Sequence, residues 1–102
     1  ITAAVTAVRE NIPHTVKIEV ETETLDMVKE AVAVKADIIM LDNMTNDMMA
    51  EAVKYIDGRA LTEASGDMNE ERVVSVAATG VDIISIGKLT HSIKCLDISL
   101  KF

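Results

Sequence analysis

The sequence predicts an α/β fold of four consecutive βα units with parallel strands, forming part of a TIM-like (β/α) barrel. Three observations lead there. Short apolar or alternating runs take turns with segments of helical spacing. The runs begin at Val16, Ile38, Ala60 and Val81, at intervals of about 22 residues, and strands alternating with helices argue for a parallel sheet. Ala36-Asp37-Ile38-Ile39 also resembles Val81-Asp82-Ile83-Ile84, as expected of a repeated unit.

The elements follow in order. Ile1 to Val8 has helical spacing, with Ile1, Val5 and Val8 on one stripe, and Pro13 ends it. Val16 to Glu21 alternates strictly and reads as the first strand. Thr24 is a candidate N-cap for a helix over Leu25 to Val34. Ile38 to Leu41 is a continuous apolar run ending at Asp42-Asn43, as in a strand buried on both faces. Thr45 caps a helix running through Met48, Met49, Ala52, Val53 and Ile56, and Asp57-Gly58 signals a turn. Ala60 to Ala64 is the third strand and ends in Ser65-Gly66. Asn69 begins the helix of Val73, Val74, Val76 and Ala77, with Gly80 in the C′ position. Val81 to Gly87 is the fourth strand, and Leu96 to Leu100 alternates as a last extended segment.

Composition narrows the function classes. Hydrophobic residues make up 49% and charged residues 26%, a globular balance. Only 2% are aromatic, so the core is built from aliphatic residues and from six Met. The net charge of −7 leaves no basic footprint for nucleic acid. One cysteine, Cys95, excludes an internal disulfide and suggests a reducing, cytoplasmic compartment. No apolar run reaches the roughly 18 residues of a membrane span. The chain opens at Ile1, inside a helical pattern and with no Met before it, which points to a fragment or a processed product. Four βα units are about half of an eight-stranded barrel, which typically needs roughly 250 residues. Half a barrel would expose two strand edges and an apolar sheet face, so either more chain is missing or the fragment associates with itself.

Barrels of this type carry their chemistry at the C-terminal ends of the strands. Those ends supply Glu21, Asp42-Asn43, Ser65-Gly66-Asp67 and Gly87. Glu21 and Asp42 close adjacent strands, so their carboxylates are placed to face a common mouth, where hard oxygens suit Mg²⁺ or sugar hydroxyls. Asp42-Asn43 also fits a plain helix cap. Ser65-Gly66, between a strand and a helix, allows backbone N–H groups to approach a phosphate at the helix N-terminus, with Gly87 as the other half of the pocket. Two ordinary tight turns would read the same way. His91 follows Gly87 by one helical turn and is a candidate phosphate donor; His14 reads as structural or solvated.

At these residues the sequence resembles the quinolinate phosphoribosyltransferases, also called nicotinate-nucleotide pyrophosphorylases (carboxylating). The resemblance is carried by KIEVE (17–21), ADIIMLDNM (36–44), DGRALTEASG (57–66), VDIISIGKLTHS (81–92) and LDISLKF (96–102), in order along the chain. It implies transfer of a phosphoribosyl group from phosphoribosyl pyrophosphate to quinolinate, with Mg²⁺ and with loss of carbon dioxide, giving nicotinate mononucleotide for NAD biosynthesis. Glu21 and Asp42 match the family's acidic pair at the ribose hydroxyls and Mg²⁺. Ser65 and Gly66 match its 5′-phosphate loop, Gly87 the partner turn, and His91 a histidine near that pocket. Asp67 stands where the family commonly has Gly or Asn, which puts a charge beside the phosphate contact. The resemblance also implies a homo-oligomer, a dimer or larger; it makes residues 1–102 the C-terminal portion of one α/β-barrel catalytic domain and places the upstream barrel half, the N-terminal domain and the family's substrate-binding Arg and Lys residues upstream of Ile1. The chain by itself is therefore expected to be inactive. Two other readings compete: a paralogue linked to molybdenum transport, and a non-catalytic half-barrel that buries its open edges by self-association.

Overall fold

The computed structural model describes residues 1–13, 15–85 and 97–100. The elements are α1 (Thr2–Asn11), β1 (Lys17–Thr22), α2 (Leu25–Ala33), β2 (Ile38–Asp42), α3 (Asn46–Ile56), β3 (Leu61–Ser65), α4 (Glu70–Ala77), β4 (Ile83–Ile84) and β5 (Asp97–Leu100). The strands form one sheet in the order β4-β3-β2-β1-β5, and every neighbouring pair is parallel. The four expected strands thus alternate with helices in one parallel sheet. The last segment adds a strand at the far edge, where β5 pairs with β1 and lies away from β4.

Local sequence sets most boundaries. Thr24, Thr45 and Asn69 each accept a hydrogen bond from the backbone N–H three residues on, at 3.2, 3.2 and 2.8 Å. Each thereby satisfies one of the orphan donors of a helix start. Helix α3 ends where Asp57 and then Gly58 turn left-handed, at φ 47° and 77°. Helix α1 runs three residues past the expected Val8 and ends before Ile12, which is extended ahead of Pro13.

Most strand limits fall within a residue of expectation, and two differences bear on the site. Strand β1 continues one residue past Glu21 to Thr22, which is buried and donates through its hydroxyl to the Met40 carbonyl at 2.8 Å. Strand β4 is confined to Ile83–Ile84 in place of a run from Val81. Its predecessor Asp82 is engaged with Thr62 instead: the Asp82 N–H donates to both the Thr62 carbonyl and hydroxyl. Gly87, at the expected end of that strand, lies outside the described residues, as do His14 and Cys95.

The two faces of the sheet have different chemistry. Consecutive neighbouring parallel strands joined by right-handed crossovers place their helices on one side. That side carries Ile18, Val20 and Thr22 of β1, Ile39 and Leu41 of β2, and Thr62 and Ala64 of β3, all buried. They pack with Val28 and Ala31 of α2, Met49, Ala52 and Ile56 of α3, and Val76 of α4. Burial of each large aliphatic side chain contributes roughly 1.5–3 kcal/mol. The alternate residues face the other way: Glu19, Glu21, Met40, Asp42, Glu63 and Ser65 are only partly buried. On the same face Leu61 is 43% and Ile83 38% exposed.

Candidate functional site

Partners in a parallel ladder share a face, so the strand register builds the site. Glu21 pairs with Met40 and Met40 with Glu63, which places three residues at one level across β1, β2 and β3. Asp42 stands two residues further along β2 and pairs with Ser65. With strands about 4.8 Å apart and about 3.3 Å of rise per residue, the Glu21 and Asp42 Cα atoms are roughly 8 Å apart. The expected acidic pair therefore lies on one face at the C-terminal edge of the sheet, diagonal rather than level.

Satisfaction of polar atoms distinguishes these carboxylates. Glu21 Oε2 is buried without a hydrogen-bond partner among the described residues. A buried acceptor of that kind is costly unless something else meets it. A ribose hydroxyl or a cation's water ligand would do so. No group of three or more His, Cys, Asp and Glu among the described residues could by itself hold a metal ion. Mg²⁺ does not need such a cage: it commonly binds through one or two carboxylates, waters and substrate phosphates. Glu21 and Asp42 fit that donor set.

Sequence reasoning missed Glu63. Its Oε2 accepts from the Ser85 hydroxyl at 2.7 Å, and the Ser85 N–H donates to the Ala64 carbonyl at 2.9 Å. The available signal was alternation: within Leu61–Ser65, Thr62 and Ala64 face the helices, so Glu63 must face Glu21's side.

The loop after β3 is shaped by its contact with the loop after β2. Asn43, left-handed at φ 52°, donates its N–H to the Ser65 carbonyl at 3.0 Å. Gly66 has φ 131°, and a Cβ there would come within 2.7 Å of Asn43 Oδ1. The positive φ calls for glycine whatever the space, and a Cβ would in addition displace the Asn43 side chain. Arg72 of α4 spans the same gap and donates through Nη2 to the Met44 carbonyl at 2.8 Å. The first turn of α4 carries Glu70 and Glu71, and Asn69 occupies one of its free N–H groups. These carboxylates oppose an anion at the helix end. The phosphate expectation therefore falls on the backbone of Ser65, Gly66 and Asp67 and gains little from α4. Asp67 is exposed. Gly87 and His91, the expected other side of the pocket, lie outside the described residues.

A concavity of about 570 Å³ opens at the opposite end of the strands between Lys35, Asp37 and Arg59. It shares no residue with the carboxylate face. Among the described residues no helix is long and apolar enough to cross a membrane.

Comparison with known proteins places the chain in a family. A probable nicotinate-nucleotide pyrophosphorylase [carboxylating] of Methanocaldococcus jannaschii is 41% identical over 104 residues, covering 95% of this chain and 37% of that protein. One of Bacillus subtilis is 45% identical over 92 residues, covering 90% and 32%. The solved nicotinate-nucleotide pyrophosphorylase of Francisella tularensis superposes with a TM-score of 0.81 at 40% identity, covering 95% of this chain and 35% of that one. The chain thus spans about a third of the length of the relatives it matches. The model of the quinolinate phosphoribosyl transferase C-terminal domain matches residues 1–101, and the chain belongs to that family.

Proposed function

We propose that this chain is the phosphoribosyl-holding part of an enzyme that transfers a phosphoribosyl group to quinolinate in NAD biosynthesis. In that reaction the pyridine nitrogen of quinolinate forms a bond to C1 of the ribose, and the bond from C1 to pyrophosphate breaks. The carboxylate at ring carbon 2 then leaves as carbon dioxide, and a proton takes its place, giving nicotinate mononucleotide. The observation that carries the reading is the placement of Glu21, with a buried oxygen that meets no donor among the described residues, and Asp42 on one face, beside the Ser65-Gly66 turn.

Each residue has a role in this reading. The Glu21 and Asp42 carboxylates accept from the ribose hydroxyls, and their negative charge favours the positive character that develops at the ribose as pyrophosphate leaves. The same pair would hold Mg²⁺ through its water shell, and the bound ion supplies neutralisation of the pyrophosphate. Backbone groups of Ser65, Gly66 and Asp67 receive the 5′-phosphate, with Gly87 and His91 as its further contacts. Groups that recognise the two quinolinate carboxylates must be cationic, and they are proposed to come from the rest of the enzyme. The same remainder would cover Leu61 and Ile83 and complete the barrel. A homo-oligomer, a dimer or larger, is part of the proposal, as is a cytoplasmic setting.

The test is pyrophosphate release by the complete enzyme carrying this chain, given quinolinate, phosphoribosyl pyrophosphate and Mg²⁺. Release that requires quinolinate is expected. Folded enzyme that releases none with quinolinate present would overturn the reading.

A further inference from the structure

Asp42 and the Ser65-Gly66 turn belong to different βα units, and one residue joins them. Asn43 directly follows Asp42. Its N–H is bonded to the carbonyl of Ser65, the residue that pairs with Asp42 in the ladder. Its side-chain oxygen occupies the space that a Cβ on residue 66 would need, and its own N and Cα lie 3.4 Å from that point. Asn43 also takes the left-handed turn that ends β2. A residue needed only for that turn could equally be Gly, which adopts positive φ more readily. An Asn places an amide against Gly66 that Gly would not.

We propose that Asn43 is a positioning residue: its side chain holds the Ser65-Gly66 turn at a set distance from Asp42, so that a substrate's 5′-phosphate and its ribose are registered to each other. The inference rests on the functional reading above and adds a residue to it. Asn43 need touch neither ligand group. Its effect is on their relative placement, to which catalysis is sensitive: a displacement of about 1 Å can cost about 100-fold in rate.

Asn43→Gly separates this role from the turn. It keeps the backbone N–H and tolerates positive φ, and it removes only the amide. In the complete enzyme, ribose 5-phosphate binding by titration calorimetry and steady-state pyrophosphate release are the readouts. Asn43→Gly is expected to weaken binding and to lower kcat, with kcat/KM for phosphoribosyl pyrophosphate down about tenfold and thermal unfolding little changed. A double-mutant cycle with Gly66→Ala adds a signature that a structural role would not produce. The backbone strain of Ala at φ 131° is the same in both backgrounds and cancels. The clash with the Asn43 amide does not, so Gly66→Ala should cost less when Asn43 is already Gly. Binding and turnover within twofold of the parent in Asn43→Gly would overturn the inference, as would strictly additive effects in the cycle. If Gly66→Ala does not fold, Asn43→Gly alone decides. A parent enzyme that neither binds ribose 5-phosphate nor releases pyrophosphate would overturn the functional reading and this inference together. A competent parent with a silent Asn43→Gly would overturn this inference only.

Discussion

The two ends of this sheet use acidic residues in opposite ways. At the N-terminal end, Asp37 and Asp82 each precede a strand and turn back to the start of the preceding strand or the one beside it. Asp37 Oδ2 accepts from the Ile18 N–H at 2.8 Å, and Asp82 Oδ2 accepts from the Thr62 N–H at 2.9 Å and hydroxyl at 3.1 Å. These oxygens are committed to backbone. At the C-terminal end, Glu21 Oε2 is buried and meets no donor among the described residues. Position relative to a strand, rather than residue type, separates an acid bonded to the neighbouring strand from one without such a bond among the described residues. A carboxylate ahead of a strand can reach the N–H groups that open the neighbouring strand. On the opposite face, further along the strands, Glu63 meets the Ser85 hydroxyl, and Glu21 Oε2 meets no donor among the described residues.

The largest expected effect tests the available end. In the complete enzyme, Glu21→Gln or Asp42→Asn should lower kcat about 100- to 1,000-fold, as loss of one preorganised electrostatic contact typically does, with thermal unfolding nearly unchanged. Loss of stability in place of activity would make these acids like Asp37 and Asp82. The converse comes next in size. Asp82→Ala leaves two donors of Thr62 without their acceptor and should cost about 2 kcal/mol in denaturant unfolding, and Asp37→Ala, with one donor, about half that. Neither should alter KM for phosphoribosyl pyrophosphate once folded enzyme is compared. A tenfold change there would break the division between the two ends.

The smallest effect lies on the helical side. Glu30 accepts from the Thr2 N–H at 2.8 Å and hydroxyl at 2.9 Å, tying α1 to α2. The Thr2 backbone bond first, then its hydroxyl, holds the Glu30 carboxyl below its usual value of 4.5. A carboxyl depressed on folding contributes stability above 4.5 and loses it as pH falls through the lower folded value. Glu30→Gln should therefore show a slightly smaller loss of thermal stability than the parent between pH 5 and about pH 3. Identical profiles would show that the tie contributes nothing.

Much of the candidate site could be read from the sequence because strand ends are local events. An apolar run stopping at Asp42, and a strand passing through Ser65 into Gly66, place those residues without knowledge of their neighbours. Glu63 escaped because its role depends on a partner: inside the third strand it looks like any alternating acid, and Ser85 comes 22 residues later. The likeness of Ala36–Ile39 to Val81–Ile84 was visible as a repeat, while its reason was not. In both copies the Asp secures another strand. It also sets where β4 starts, at Ile83 as β2 starts at Ile38, since each strand follows an Asp whose backbone and side chain are bonded to the preceding strand.

What the sequence by itself determined is the set of elements and their limits at Thr24, Thr45, Asn69 and Gly58. Capping, alternation and left-handed turns involve atoms a few residues apart. Tertiary structure decided the diagonal offset of Glu21 from Asp42, the pairing of β5 with β1, and the demand for glycine at position 66. Each depends on ladder register or on a close approach between separate βα units. Those are set by packing of the helix-covered face as a whole, because a one-residue slip would turn every buried side chain of a strand to the ligand face.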